Sequence, residues 1–148
     1  MIAKVGTLLS GLFGFRPRHL QVGAVCLRRH KGERQVLLIT SLGTGRYVIP
    51  KGWPMKGRSL GGAAAQEAWE EAGVRGHLRH ETLGSYSYLK VQDGGFAIHC
   101  EVRVFALEVE ALAERYPEAG RRKRVWMSPA EAAAQVAEPG LQEILRAL

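Results

Sequence analysis

A single α/β (α+β) domain, a mixed β-sheet with helices packed on it, is the fold this sequence predicts, and three observations predict it. The 148 residues, 46% of them hydrophobic and 24% charged, suit one globular domain able to bury a real core, and no linker or internal repeat divides them. Six strand-like runs rich in branched and aromatic residues alternate with turn clusters. Helix-start and helix-stop residues then bracket one segment between strands and another near the C-terminus.

Taken in order, "VGAVCLRR" (22–29) reads as a strand, "HKGE" as a polar turn and "QVLLITS" (35–41) as the second arm of a hairpin. "LGTG" is a glycine loop leading to the short strand "YVI" (47–49), which Pro50 ends because proline cannot donate to a ladder. The loop "PKGWPMKGRS" follows. Ser59 is placed to cap a helix through "LGGAAAQEAWEEA", and Gly73 to end it in the left-handed region. "HLRHETLGSYSYLK" (77–90) and "FAIHCEVRVFALEVE" (96–110), joined by "QDGG", predict an antiparallel pair. "RVWM" (124–127) is a last short strand. Ser128, Pro129 and Glu131 form a capping-box signature for a further helix, and "PGLQEILRAL" closes the chain as another.

Charge and cysteine usage narrow the function classes. With 21 Lys+Arg against 14 Asp+Glu the net charge is +7, which suits a polyanionic partner: nucleic acid, an anionic membrane surface or a phosphorylated small molecule. Cys26 and Cys100 lie in apolar strand-like runs, so they read as buried thiols in a reducing, cytoplasmic setting rather than a secreted disulfide framework. The opening "MIAKVGTLLSGLFGF" is too short to span a bilayer and has no cleavage site before "RPRHL", so residues 1–19 are expected to be an N-terminal helix or tail. His77 and His80 lack a third ligand and do not make a zinc site.

The densest chemistry lies in the first helix. Glu67, Glu70 and Glu71, spaced i, i+3 and i+4, fall on one face, with Ala65, Ala68, Trp69 and Ala72 on the other. Like charges about 4 Å apart repel by about 1 kcal/mol in water and about 4 kcal/mol at an effective dielectric of 20. A solvated acidic face tolerates this; a site for Mg²⁺ or Mn²⁺ exploits it, because these hard cations take one or two carboxylates and fill the shell with water and substrate phosphate. A metal there would polarise a phosphoryl oxygen, and a spare carboxylate could take a proton from the attacking water.

Gly52, five residues, Arg58, seven residues and then "QEAWEEAGV" resembles the signature of the Nudix hydrolases. Gly52, Glu67, Glu70, Glu71, Gly73 and Val74 fall on register. Three positions depart: Arg58 where the family usually has glutamate, Gln66 where it usually has arginine, and Ala68 in an apolar slot usually filled by a larger residue. The resemblance implies one Nudix domain over residues 1–148, its mixed sheet sandwiched by helices and its catalytic motif a loop-helix-loop. It also implies that Glu67, Glu70 and Glu71, with the backbone carbonyl of Lys51, hold Mg²⁺ or Mn²⁺ and handle protons. Gln66 replaces a charged hydrogen bond to a motif carboxylate by a neutral, weaker one.

Over residues 20–136, "RYVIPKGWPMKG", the motif and "RRKRVWMSPAEAA" look most like the branch of diphosphoinositol polyphosphate phosphohydrolases and their bacterial relatives, which also cleave dinucleoside polyphosphates. Polyphosphate substrates imply basic contacts: Arg18 and Arg46, Lys51, Lys56 and Arg58 around Gly52 in the loop, and Arg122, Lys123 and Arg124. Trp53 could stack on a base or inositol ring. His99, Glu101 and Arg103 share a strand face, and Glu101 could supply a further acid or base. ADP-ribose, nucleotide sugars and 5'-triphosphate RNA ends are rival substrates for the same chemistry. A silent Nudix fold or an RNA-binding module is the non-enzyme alternative, though no RNA-recognition aromatic signature is present. The expected oligomeric state is monomer or homodimer.

Overall fold

The computed structural model describes residues 19–148. Arg18 and the N-terminal helix or tail expected over residues 1–19 lie, apart from His19, outside the described residues. Seven strands, β1 (His19–His30), β2 (Glu33–Thr40), β3 (Tyr47–Val48), β4 (Lys51–Gly52), β5 (Val74–Val91), β6 (Ala97–Leu112) and β7 (Arg124–Met127), form one sheet in the order β3-β2-β1-β6-β5. β4 pairs with β1, and β7 with β2. The sheet is mixed because β1 runs parallel to β6, from His19 beside Cys100 to Leu27 beside Glu108, while the other pairings are antiparallel.

Side chains alternate across β1 and sort the core into two layers. Val22, Ala24 and Cys26 face helix α1 (Leu60–Ala72) together with Leu37, Ile39, Phe105 and Leu107. Val25 and Leu27 face α2 (Pro129–Gln135) and α3 (Pro139–Arg146) with Leu38, Val102, Val104 and Leu141. Helices thus cover both faces, the layered solution that buries two sheet faces at once.

Local chemistry sets the helix ends. Ser59 accepts from the Gly62 amide at 3.0 Å, and Gly73 takes φ 66° at the C-cap. Ser128 and Glu131 make the reciprocal capping box, with Pro129 in the first turn. α1 approaches the sheet through Gly61, Ala63, Ala64, Ala68 and Ala72, small residues that bring its backbone close. Trp69, on the helix side away from the glutamates, is only half-buried: it packs on Tyr116 under the Arg75 guanidinium, 4.1 Å from its ring centre. Trp126 packs on the α1 layer beneath Arg28. The loop at 50–59 contains β4, two residues whose pairing with Val22 and Gly23 sequence reading leaves as loop. Among the described residues both cysteines are free and buried, and burial pushes the Cys26 thiol up to about 12. No helix among them is long and apolar enough to cross a membrane.

Candidate active site

β4 and α1 meet at Gly52. A β-carbon at residue 52 would lie 2.2 Å from Glu67 Oε2, so only glycine lets this carboxylate reach the loop backbone. One turn on, Glu71 is 8% exposed, accepts from the Lys51 amide at 3.4 Å and lies beside Glu67. Neighbouring carboxylates repel, a cost that a proton on one of them or a bound cation relieves. Burial is the main cause that raises both groups, taking Glu71 to about 8; the Arg122 guanidinium 4.0 Å away works against that rise, and the contact with Glu67 adds to it. One buried and one half-buried carboxylate side by side next to a backbone loop are a donor set suited to a hard divalent ion.

Glu70 points elsewhere. Gln66 Nε2 donates to its Oε2 at 2.8 Å, so the amide at the departed motif position does hold a motif carboxylate. The three glutamates do not converge: among the described residues no group of three His, Cys, Asp or Glu side chains is gathered for a metal. All three leave the same helix face, but Glu70 is engaged by Gln66 of its own helix while Glu67 and Glu71 lie against β4. The Lys51 group seen at Glu71 is its amide, not its carbonyl.

A cleft of about 320 Å³ opens beside the pair, lined by Lys51, Gly52, Trp53, Glu67, Glu71 and Arg122, and also by Gln21, Tyr88 and Lys90. Trp53 is 43% exposed at its rim, edge-on to His19 at 6.5 Å between ring centres. Arg122 is braced by Glu118 at 3.1 Å and donates to the Thr40 carbonyl. It also lines a second, open hollow of about 420 Å³ that includes Lys123 and the glycine loop at Gly43 and Gly45.

Other basic candidates lie off the cleft. Arg46 pairs with Glu138 Oε2 at 3.0 Å. Lys56 and Arg58 are exposed in the loop and line neither cavity. Arg124, expected on phosphate, instead donates to the carbonyls of Ala72 and Ala113 at 3.0 and 2.9 Å and covers the Tyr116 ring, closing the end of α1. Glu101 and Arg103 stand 3.8 Å apart on β6, and with His99 they face away from the cleft, on the α1 side of the sheet. Gln21, Tyr88 and Lys90 escaped sequence reading because their only signal there is alternation along β1 and β5.

With this geometry in place, comparison gives a consistent likeness. Residues 17–148 match the model of the NUDIX domain. The chain is 33% identical over 127 residues to "Nudix hydrolase 13, mitochondrial" of Arabidopsis thaliana, covering 80% of this chain and 63% of that protein. It is 29% identical over 121 residues to "Diphosphoinositol polyphosphate phosphohydrolase 3-beta" of Bos taurus, covering 80% and 68%. It spans under two thirds, 63%, 63% and 62%, of three plant relatives it matches. In fold it resembles a C. elegans Ap4A hydrolase binary complex, with a TM-score of 0.60, 18% identity and coverage of 86% and 93%. It also resembles the NUDIX domain of Shewanella oneidensis NrtR complexed with ADP ribose, with a TM-score of 0.62, 17% identity and coverage of 91% and 90%.

Proposed function

The chain belongs to the NUDIX domain family over residues 17–148, and from that membership we propose a divalent-metal-dependent hydrolase of phosphoanhydride bonds in nucleoside-diphosphate-linked or polyphosphorylated substrates. The observation that carries the reading is the adjacent pair Glu67 and Glu71, both lining the cleft, with Glu67 against a loop position that only glycine can occupy.

Mg²⁺ or Mn²⁺ is the ion this oxygen set suits, with Glu67 and Glu71 as holders and Glu70 and the Lys51 carbonyl completing the family's set. When bound, it polarises a phosphoryl oxygen and lowers the pKa of water. The chain's own residues do the rest. Glu67 and Glu71 would hold the ion, Gln66 fixes Glu70, and a carboxylate of this face takes a proton from the water that attacks phosphorus. Lys51 and Arg122 offset the charge of the substrate phosphates in the cleft.

Dinucleoside polyphosphates and diphosphoinositol polyphosphates are the substrates we favour, supported by the basic shelf of Arg122 and Lys123 next to the cleft and by the bovine relative. ADP-ribose is the rival, supported by the ligand of the NrtR domain and by the exposed Trp53 at the rim. A product-resolved screen of Ap4A, a diphosphoinositol polyphosphate, ADP-ribose and 5'-triphosphate RNA with Mg²⁺ and with Mn²⁺ tests it. The reading expects cleavage with the highest kcat/KM for the first two; ADP-ribose as best substrate shifts the assignment to the rival, and no cleavage of any leaves a binding module. Free buried thiols suit a reducing compartment, for which we retain the cytoplasm, although relatives bear mitochondrial and chloroplastic names.

A further inference from the structure

The cleft is lined by residues of β1 and β5, outside the motif, as well as by the motif itself. Tyr88 and Lys90 are two apart on β5, so their side chains leave the same face of the sheet, and both line the cleft with Gln21. Tyr88 is fixed in place: its hydroxyl donates to Gln21 Oε1 at 2.6 Å, and Gln21 is 3% exposed. Lys51 Nζ lies over the Tyr88 ring, 5.2 Å from its centre, a cation-π placement that draws this ammonium toward β5. Lys90 brings a second ammonium into the same small space. Among the described residues neither lysine lies within ion-pair distance of a carboxylate. Two like charges in one cleft repel, and an anion between them relieves the repulsion.

We infer that Lys51, seated on Tyr88, and Lys90 form a clamp for one phosphate of the substrate, in the cleft that Glu67 and Glu71 also line, and that Lys90 is a specificity-determining residue for the departing phosphate. The inference rests on the phosphoanhydride-hydrolase reading and deepens it: both phosphates of the scissile anhydride lie within the cleft, one at the carboxylates and one at the lysines. Water adds to the phosphorus at the carboxylates and loses a proton to one of them. The bridging P–O bond breaks, and the bridging oxygen leaves with the electron pair on the phosphate held by the two lysines. A charged partner at that phosphate favours the substrate and, more strongly, the leaving anion.

The test compares Lys90→Ala, Lys90→Arg and, as a charge control at the far end of β1, Arg29→Ala. Two readouts are used: kinetics on Ap4A with Mg²⁺, and calorimetric binding of methylenediphosphonate, which is not hydrolysed. Lys90→Ala is expected to raise KM for Ap4A and Kd for methylenediphosphonate about 5- to 10-fold, the scale of one charge-assisted contact, and to flatten the dependence of both on salt. Lys90→Arg should restore most of each, and Arg29→Ala should change neither. Equal behaviour of Lys90→Ala and Arg29→Ala in both readouts overturns the clamp. A wild-type protein that cleaves nothing, yet binds methylenediphosphonate in a Lys90-dependent way, overturns the hydrolase reading and leaves the clamp standing.

Discussion

Glu67 and Glu71 act as one unit, since they lie side by side at the cleft and Gly52 leaves room for the first. Glu71→Gln, and Glu70→Gln beside it, are expected to lower kcat by about 10²- to 10⁴-fold with native-like circular dichroism, the range for losing a positioned acid-base group. Near-normal turnover in both variants would move the chemistry elsewhere. The raised Glu71, near 8, also has a thermodynamic consequence with a definite sign. An acid held above its unfolded value near 4.5 binds more protons folded than unfolded, so its contribution to stability is full below about 4.5 and is lost as pH rises toward 8. In EDTA, Tm of the wild type minus that of Glu71→Gln is therefore expected to fall from pH 5 to pH 8, and added Mn²⁺ should cancel the fall by binding the carboxylate in place of the proton. A difference that stays flat or rises in EDTA contradicts it. The i and i+4 spacing of the pair was legible in the sequence. Its burial and the turning aside of Glu70 were not, because they depend on how α1 lies against β4.

At the scale of elements, α1 is held by devices at both ends, and one is nonlocal. Ser59 and Gly73 were readable because caps are local chemistry. Arg124 reaches the same helix from β7, fifty-two residues on, with one hydrogen bond to the Ala72 carbonyl and another to Ala113 beyond β6. In the sequence it was one of a basic run beside Arg122 and Lys123, with nothing to separate a structural arginine from a phosphate ligand. The structure does separate them. Arg124→Ala is expected to cost about 1.5–3 kcal/mol of stability, the value for hydrogen bonds from a charged donor, with KM little changed. Arg122→Ala, at the cleft, should raise KM for polyphosphate substrates. Denaturant melts and steady-state kinetics on the two variants decide it, and a KM effect confined to Arg124→Ala would reverse the assignment. Strand positions were likewise legible from branched residues and turns, while the parallel union of β1 with β6, eighty-one residues apart at His19 and Cys100, left no local trace.

For the whole molecule, the mixed sheet is what creates the cleft. It sets α1 and β4 on one side and Tyr88 and Lys90 of β5 on the other, with β1 and β6 between the two strands, so a motif read from Gly52 to Val74 becomes a site only when distant strands complete its lining. The net charge of +7 then acts on that site as a field as well as through contacts. kcat/KM for Ap4A is expected to fall as salt rises, and to fall more steeply than for ADP-ribose, which has fewer phosphates to screen. Identical salt slopes would reduce the basic surface to a solvated one. The central claim, that paired carboxylates of α1 serve metal-dependent phosphoanhydride hydrolysis, is tested most directly by the initial rate of Ap4A cleavage as Mg²⁺ or Mn²⁺ is titrated into EDTA-treated wild type and Glu71→Gln. The account predicts no rate in EDTA, saturable recovery in the wild type, and a recovered rate at least about 10²-fold lower in the variant. Full activity in excess EDTA, or equal recovery in both proteins, would contradict it.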